Sequence, residues 1–485
     1  MNTKKFYSKK KLLKNKKPKK KFNKRKRKPK VKGLKAKVGK IIGEGGFGCV
    51  IKPPVKILGN ETKELVVSKI LDNSSGEKEL ELLEEITKVD PKGLYSTNLL
   101  SHKDLTRELY EVQSLETKKD IDDCLKGKSK ENKTIINMSY IGNSLDKHLD
   151  TSKVRIDTIT DEQRDLIEEK KYITKNFKNL VADVFLGLDH FHKMGIIHRD
   201  IKLENITFGK HIDMDEGFSY LNSKGQDIYS RNNSNEFEFV GGKHCFKFID
   251  FGLSVNFLDN KTDKLIQEYD KLSVIEPKTK EEKMSKKKSV RNLTKNIIFN
   301  KMIHDDKFKI RDIDRADTFI QKLYCGTLSF IPLEHYAIFI KLIRKFPDLL
   351  KKGTVVNVII QKICKGKPYR EDLLIEDLKV NMDYFGKCFS KEEKNEIKKY
   401  VMDLLEVENL EYYFFKSQVT ADRNYKPLIF YQDYYCLGIT LMTMYNYCGI
   451  NIPKLKSLIK NLYHINIFER MEIDLEEYAS IIRSI

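Results

Sequence analysis

The segment HRDIKLEN, residues 198–205, places three polar side chains of complementary chemistry within six positions. Asp200 can accept a proton from a hydroxyl group, and Lys202 can neutralise a phosphoryl group in transfer. Asn205 can offer its amide oxygen to a metal ion. Phosphoryl transfer needs this positioning and charge stabilisation, so the segment predicts that chemistry. A charged surface loop is the alternative, because surface connections are usually polar.

Asp250 is a second candidate metal ligand. It follows alternating hydrophobic residues in FKFIDFGLSV, residues 246–255, which predict a strand that ends just before a glycine. A carboxylate at this point can hold a hard cation such as Mg²⁺. The alternative is an aspartate that begins an ordinary turn.

Four glycines in GEGGFG, residues 43–48, indicate a backbone that can approach phosphates closely. Gly43, Gly45 and Gly48 fit the pattern G-x-G-x-x-G, which alone is a weak signal. A dinucleotide site would need a helix to begin here, but the following CVIKPP contains two prolines that exclude one. We therefore expect a β-hairpin that covers phosphates, with a plain turn as the alternative.

Hydrophobic patterns divide the chain into a β-rich part and a longer, mostly helical part. Besides the glycine hairpin, strands are predicted at 64–71 and 134–142. Helical spacing is found at 76–89. From about residue 160, a long amphipathic helix runs to a glycine shortly before HRDIKLEN.

In this order along the chain, these motifs resemble those of eukaryotic-type protein kinases, from about residue 38 to the C-terminus. The resemblance implies an α+β fold with two lobes, a small β-rich N-lobe at 38–141 and a larger, mainly helical C-lobe at 142–485. It implies a serine/threonine protein kinase that uses ATP and Mg²⁺, with Mn²⁺ as a substitute metal. The glycine hairpin, the basic N-terminus and an abridged C-terminal end are most similar to kinases of large nucleocytoplasmic DNA viruses.

The resemblance also assigns a role to individual residues. Asp200 would be the catalytic base, assisted by Lys202, and Asn205 and Asp250 would be the magnesium ligands. Residues in contact with the nucleotide would be Ile42, Gly43, Glu44, Gly45, Gly46, Phe47, Gly48, Cys49, Val50, Lys69, Glu79, Met138, Ser139, Tyr140 and Ile141.

Among these, Lys69 would hold the α- and β-phosphates, and Met138 would be the gatekeeper ahead of a hinge at 139–141. Glu79 is the expected helix partner of Lys69, and Glu81 or Glu84 is the alternative. Thr207 and Val67 stand where the family more often has an apolar residue and an alanine. They imply a narrower, more polar nucleotide site.

Other matches concern the support of the site. Glu334 in CGTLSFIPLE would pair with Arg470, and Asp433 would anchor the catalytic loop from beneath. Lys202 together with Thr327 is similar to the serine/threonine pattern rather than the tyrosine pattern.

Arg199 suggests control by phosphorylation of the activation segment, but Leu323 stands at the usual phosphorylated position. Thr318 or a residue of the basic patch MSKKKSVRNLTKN is the alternative acceptor. A kinase that needs no such switch is the other possibility.

Relative to the family pattern, some segments resemble insertions: 209–243, 256–322 and 335–430. Within the last of these, helices are predicted around 336–352, 371–388 and 391–408. This segment is expected to replace packing that the abridged C-terminal helices lack.

The positive charge of the chain is concentrated at its N-terminus. Residues 1–40 contain 21 of the 92 Lys and Arg residues and none of the 70 Asp and Glu residues, so the remainder is nearly neutral. A self-repelling run with little to bury predicts a disordered tail over 1–37. The expected partners of residues 1–40 are nucleic acid, an import receptor or an anionic surface. A solubilising leader without a partner is the alternative.

The eight cysteines are spread singly, without a C-x-x-C pair or a Cys/His cluster that would suggest zinc. The sequence has no apolar signal core and no apolar stretch of membrane-spanning length. We therefore expect a reduced, soluble protein inside a cell, in cytoplasm or nucleus, or in a virion if the origin is viral. The sequence does not indicate an oligomeric state.

Rival functions remain at this point. A pseudokinase scaffold would act through partner binding, but the expected nucleotide and metal positions are all intact. A small-molecule or lipid kinase is disfavoured by CGTLSFIPLE, which in protein kinases forms a peptide-docking platform. A nucleic-acid-associated adapter would act through the basic tail, with binding that falls steeply as salt rises.

Overall fold

The structure, a computed structural model, describes most of the chain beyond residue 39. The described ranges are 40–45, 48–57, 66–127, 129–149, 161–210, 244–324, 326–327, 330–351, 353–364, 366–384, 388–419 and 424–485. The predicted basic tail at 1–37, Gly46, Phe47 and most of the predicted insertion at 209–243 lie outside these ranges.

Short runs of β-branched residues form an antiparallel sheet at the N-terminal end of the described chain. Its strands are β1 (Lys40–Gly45), β2 (Gly48–Lys52), β3 (Val66–Asp72), β4 (Leu99–Asp104) and β5 (Lys133–Ser139). Within the described ranges the sheet has five strands in the order β1-β2-β3-β5-β4. The predicted glycine hairpin is β1 with β2, and the strands predicted at 64–71 and 134–142 are β3 and β5.

Helix α1 (Asn73–Val89) packs against β4 and β5. Its apolar residues Leu82, Leu83 and Ile86 are buried, because helical spacing brings them to one side. The helix predicted at 76–89 is confirmed, with a start three residues earlier.

Helices α2 (Arg107–Glu111) and α3 (Leu115–Leu125) cover the other face of the sheet. Successive strand residues point to opposite faces, and those on this face form an apolar cluster of their own. The cluster includes Ile51, Ile70, Ile121, Leu125 and Ile135. Both helices begin at a hydroxyl cap, with the Thr106 side chain accepting from Leu109 N and the Ser114 side chain accepting from Thr117 N.

A disulfide joins these two layers. Cys49 in β2 is bonded to Cys124 in α3, with their Cα atoms 5.9 Å apart. The expectation that every cysteine is reduced is therefore wrong. The two cysteines are 75 residues apart in the sequence, and no local pattern relates them.

The segment HRDIKLEN lies among short strands, most of which follow a long helix. Helices α4 (Leu145–Leu149) and α5 (Asp161–Lys193) precede it, and α5 confirms the helix predicted from about residue 160. The strands are β6 (Asn143–Ser144), β7 (Ile196–Ile197), β8 (Ile206–Lys210), β9 (His244–Phe248) and β10 (Val255–Asn256). In the described ranges β6, β8 and β9 form one small sheet, and β7 pairs with β10.

The segment predicted as an insertion at 256–322 is helical. It contains α6 (Thr262–Ser273), α7 (Lys280–His304) and α8 (Ile313–Leu323). Helix α7 begins at a capping box of Thr279 and Glu282, a T-x-x-E pattern in the sequence. Only its C-terminal end is buried, through Phe299, Met302 and Ile303.

The segment predicted as an insertion at 335–430 contains more helices than the sequence predicts. They are α9 (Leu333–Lys345), α10 (Val355–Ile363), α11 (Glu371–Tyr384), α12 (Lys391–Glu406) and α13 (Leu410–Tyr413), followed by β11 (Gln418–Val419) paired with β12 (Asn424–Tyr425). The helices predicted around 336–352, 371–388 and 391–408 each end earlier than expected. Helix α10 was not predicted, because its β-branched sequence VVNVIIQKI favours a strand.

The remaining helices complete a core that is continuous from α1 to the C-terminus. They are α14 (Phe430–Tyr447), α15 (Pro453–Leu462), α16 (Ile467–Met471) and α17 (Leu475–Ser484). The predicted fold class, a small antiparallel sheet followed by a larger helical region, is confirmed. Among the described residues, no helix is both long enough and apolar enough to cross a membrane.

Candidate active site

Lys69 lies at the centre of a charged cluster between the sheet and the helical region. Strand β3 carries it, and α1 and the end of β9 bring carboxylates to it. Its Nζ atom is 2.5 Å from Glu79 Oε1 and 2.8 Å from Asp250 Oδ1. Of the alternatives for the helix partner, Glu81 instead pairs with Lys261, at 2.9 Å. Glu79 is therefore the partner, as the sequence predicts.

The charges of this cluster depend on one another. Burial disfavours the Lys69 ammonium, but the charges of Glu79 and Asp250 outweigh it and raise the pKa of Lys69 above its usual value. Burial also acts to raise the pKa of Asp250, yet the Lys69 ammonium outweighs it and lowers that pKa. For Glu79 burial is the stronger effect and raises the pKa. Asp250 is thus held as a carboxylate at neutral pH.

Asp200 accepts hydrogen bonds on both carboxylate oxygens. Oδ1 accepts from the backbone N of Thr327 at 3.0 Å and from its hydroxyl at 2.8 Å. Oδ2 accepts from Lys202 Nζ at 2.7 Å and from Asn205 Nδ2 at 2.9 Å. Lys202 Nζ also donates to the Thr327 hydroxyl at 3.0 Å. The segment HRDIKLEN and the segment around Thr327 therefore meet at Asp200.

Gly326 permits this meeting. Its φ of +101° lies in the region that favours glycine, and a Cβ atom there would be 2.4 Å from the carbonyl oxygen of Arg199. A side chain at this position would push Thr327 away from Asp200.

Asp433 supports the same loop from beneath. The side chain is fully buried, and it accepts hydrogen bonds from the backbone N atoms of His198 and Arg199, each at 2.7 Å. These bonds stabilise Arg199 at a φ of +68°, which a side chain rarely adopts. Asp433 Oδ2 is also 3.0 Å from Nε2 of the buried His192.

Asn205 and Asp250 lie at the same end of a hairpin. Strand β8 begins after Asn205 and β9 ends two residues before Asp250, and Ile206 pairs with Phe248. The carbonyl oxygen of Asn205 accepts from Ile249 N at 3.0 Å. Because Asn205 Nδ2 donates to Asp200, the oxygen of its amide is the end suited to a cation.

This donor set fits Mg²⁺. Lys69 contacts one Asp250 oxygen, and the Asp250 side chain is 40% exposed, so the carboxylate can also reach an ion from solvent. Mg²⁺ is commonly held by one or two protein oxygens together with substrate phosphates.

The nucleotide residues expected from the sequence do not all lie on one face of the sheet, since Cys49 packs on the α3 side, in its disulfide with Cys124. Met138 is buried and pairs across β3 and β5 with Val67. The backbone of Ser139 is fixed by its N–H, which donates to Asn98 O at 3.0 Å. Thr207 is buried, and its hydroxyl donates to the Lys247 carbonyl at 3.4 Å. That hydroxyl therefore has a partner within the protein.

The glycine hairpin has a packing requirement in addition to any role with phosphates. A Cβ atom on Gly48 would be 2.2 Å from the carbonyl oxygen of Ile70 in β3. A Cβ atom on Gly43 would meet nothing closer than 3.8 Å. Gly48 is thus required by strand packing, whereas Gly43 is not.

Asp90 is a supporting residue that the sequence analysis missed. Its carboxylate accepts from the backbone N atoms of Leu94, Tyr95 and Ser96 at 2.7–2.9 Å. The turn that it stabilises joins α1 to the helical region, since Tyr95 O accepts from Phe248 N at 2.8 Å. An aspartate followed by Pro-Lys-Gly at the end of a predicted helix was the available signal.

Glu334 and Arg470 form a fully buried ion pair at 2.5 Å, as the sequence predicts. The pair joins the start of α9 to α16. The 335–430 segment also contacts the start of α16, because Tyr400 of α12 donates to Asn466 Oδ1 at 2.7 Å and accepts from Ile467 N at 2.7 Å.

Two positions considered for phosphorylation are buried, whereas the basic patch MSKKKSVRNLTKN keeps exposed hydroxyl groups at Ser285, Ser289 and Thr294. Thr318 lies in α8 and is 1% exposed, so it cannot serve as an accessible phosphate acceptor. Leu323, at the usual phosphorylated position, is fully buried in the same helix. Arg199, the expected phosphate partner, instead donates to the carbonyl oxygen of Lys322.

Residues 36–273 match the family model for the protein kinase domain. The sheet, the helical region and this match show that the chain contains a protein kinase domain. Helices α7 to α17 lie beyond the matched residues. No curated protein matches the chain.

Proposed function

We propose that this chain is an ATP- and Mg²⁺-dependent protein kinase that phosphorylates serine and threonine residues of proteins. The observation that carries the proposal is the set of hydrogen bonds that joins Asp200, Lys202 and Thr327. A substrate hydroxyl could replace the Thr327 hydroxyl as the donor to Asp200, beside the same lysine.

Asp200 would act as the catalytic base. A carboxylate within hydrogen-bond reach of a hydroxyl can take its proton as the oxygen attacks phosphorus. Lys202, 2.7 Å from Asp200, would stabilise charge on the phosphoryl group in transfer. Both side chains are more than three-quarters buried, which strengthens their electrostatic effect.

Lys69 would hold the phosphates of ATP, with Glu79 fixing its direction. Asn205 and Asp250 would hold Mg²⁺, or Mn²⁺ in its place, because both offer oxygen atoms to the cleft. ATP would supply the phosphoryl group, and the metal would neutralise charge on its phosphates. Met138 and residues 139–141 would border the adenine.

Serine/threonine specificity rests on the pairing of Lys202 with Thr327. The contacts of Lys69 disfavour a scaffold without catalysis, since an ion pair with Glu79 beside Asp250 is what an active kinase requires. Two further proposals rest on the sequence alone. The basic tail would bind nucleic acid, an import receptor or an anionic surface. The chain would be similar to viral kinases.

The test is transfer of label from radioactive ATP with Mg²⁺ by the purified chain, beside the variant Asp200→Asn. Casein, a basic protein and the chain itself would be the substrates, followed by phosphoamino-acid analysis. We expect label on serine and threonine, reduced about 10²–10⁴-fold in the variant, because a general base contributes that much. ATP binding should stay near that of the unaltered chain.

Equal labelling by both proteins would reject Asp200 as the base. Label on tyrosine alone would reject the specificity. ATP binding without any transfer would favour a scaffold, and no ATP binding would show that the glycine hairpin does not cover a nucleotide.

A further inference from the structure

We propose that Lys261 is a positioning residue, which holds α1 so that Glu79 meets Lys69. The proposal rests on the proposed kinase function for its consequence, but the contact itself can be tested without activity. Lys261 lies just before α6, in the segment 256–264 that follows Asp250. This segment lies beside α1, where it contacts Glu81 and Glu85.

Lys261 brings together carboxylates from both segments. Its Nζ atom is 2.9 Å from Glu81 Oε1 and 3.8 Å from Glu85 Oε1, both on α1. It is also 2.8 Å from Asp259 Oδ2 on its own segment. The side chain is only 27% exposed, so solvent screens these contacts less than it screens a free surface pair.

A second contact joins the same two segments. Asn256 Nδ2 donates to Glu85 Oε2 at 2.7 Å. Asn256 is itself fixed, because it belongs to β10 and pairs with Ile196 of β7. Strand β7 directly precedes the segment HRDIKLEN. Glu85 is thus held by the lysine and the asparagine together.

The backbone of Lys261 is anchored, so its side chain does not depend on a free loop. Its N–H donates to Asn300 Oδ1 of α7 at 3.2 Å. The end of α7 is fixed in turn by Lys416, whose Nζ donates to Ile303 O at 2.8 Å. Movement of Lys261 therefore requires movement of α7.

The geometry of α1 explains how these contacts fix the position of Glu79. Glu81 and Glu85 are four residues apart and share one helix face. Glu79 precedes Glu81 by two residues, which places it on roughly the opposite face at about 100° per residue. Rotation of α1 that moves Glu79 away from Lys69 would also break the contacts of Lys261. The helix is held from both sides.

A lysine on a solvated helix face is the alternative, because most exposed ion pairs contribute little. The three carboxylates around the partly buried Lys261 ammonium argue against this alternative. Lys264 illustrates the difference: it is 65% exposed and 3.5 Å from Glu81. It serves as the matched control.

The experiment compares Lys261→Ala, Lys261→Arg and Lys264→Ala in the full chain. Hydrogen exchange of residues 73–89 is measured together with kcat and the KM for ATP. For Lys261→Ala we expect exchange in α1 to rise and kcat to fall about fivefold, as loss of a partly buried ion-pair network implies. Lys261→Arg should keep both the exchange rate of α1 and kcat near those of the unaltered chain. For Lys264→Ala both should differ from the unaltered chain by less than about twofold.

Unchanged exchange in α1 of Lys261→Ala would overturn the proposal, whatever the activity. The same holds if Lys261→Arg loses as much as Lys261→Ala, because a positive charge would then not be the cause. If the unaltered chain transfers no phosphate, the proposed function fails, and the exchange measurement still decides the role of Lys261.

Discussion

The guanidinium of Arg199 donates a hydrogen bond to the carbonyl oxygen of Lys322, in the last turn of α8. The final carbonyl groups of a helix lack partners within it, and a cation near them is stabilising. Arg199 directly precedes Asp200, and α8 leads within a few residues to Thr327. The end of α8 is thus the hydrogen-bond partner of Arg199, the residue that the kinase resemblance expects to bind a phosphate.

We expect the chain to be active without phosphorylation. The initial rate on a protein substrate should agree within about twofold before and after phosphatase treatment, because an assembled site needs no new charge to order it. Thr318→Val should have little effect, since the threonine is buried and valine has a similar shape. The measurement is the initial rate, with mass spectrometry to verify the phosphorylation state.

Arg199→Ala is the companion variant. It should lower kcat by about tenfold or more, as the loss of a buried charge-assisted hydrogen bond implies. A phosphatase-treated chain that is inactive, and regains activity when phosphorylated, would show that a phosphate is required after all.

The disulfide between Cys49 and Cys124 should stabilise the glycine hairpin. Cys124→Ser is expected to lower the free energy of unfolding by about 2–4 kcal/mol, as for other disulfides. It should also raise the KM for ATP, because β2 loses its tether to α3. Unfolding by urea and ATP kinetics, each with and without reductant, would measure both effects.

Cys448→Ser is the control, because Cys448 is a free cysteine. Reductant should act on the unaltered chain and on this control but not on Cys124→Ser. Thiol titration of the denatured chain should find two more thiols with reduction than without it. Equal thiol counts with and without reduction would contradict the disulfide.

Residues fixed by local spacing could be predicted from the sequence, and those fixed by distant partners could not. Asp200, Lys202 and Asn205 lie in one short run whose spacing suits their chemistry, and the structure brings them together. Lys69 and Glu79 are ten residues apart, and the resemblance to protein kinases suggested the pair while it left Glu81 and Glu84 as alternatives.

Contacts between distant segments left no such pattern. The bond between Cys49 and Cys124 depends on how α3 packs on the sheet, and the contact of Lys261 with Glu81 depends on α7. Helix α10 could not be predicted either, because burial against its neighbours outweighed the strand preference of its valines and isoleucines. Thr318 was misjudged because a threonine in a polar context gives no sign that α8 is packed into the core.

The buried pair of Glu334 and Arg470 should be essential for stability. Glu334→Ala is expected to cost about 3–5 kcal/mol, because it leaves a buried guanidinium without its carboxylate. Adding Arg470→Met should recover part of that loss, since no unpaired charge then remains. Urea unfolding of the single and double variants measures this, with Arg344→Met as an exposed-pair control. If the stability losses of the single variants simply add in the double variant, Glu334 and Arg470 are not coupled.

Two buried histidines should make stability fall in mild acid. Burial lowers the pKa of His192 despite its contact with Asp433. Burial, with the charges of Arg470 and Arg199, holds the pKa of His335 well below its usual value. The unfolded chain then binds more protons than the folded chain below the unfolded pKa of about 6.5, so stability is full above that pH and is lost as the pH falls through it.

For His335 the expected slope approaches about 1.4 kcal/mol per pH unit at pH values well below 6.5. His335→Phe keeps an aromatic ring against Phe414, 4.9 Å away in the native chain, and removes one titrating group. Urea midpoints from pH 7.5 to 5.5 should therefore fall less steeply for this variant than for the native chain. Parallel slopes for the native chain and His335→Phe would mean that His335 is protonated as readily in the folded chain as in the unfolded one.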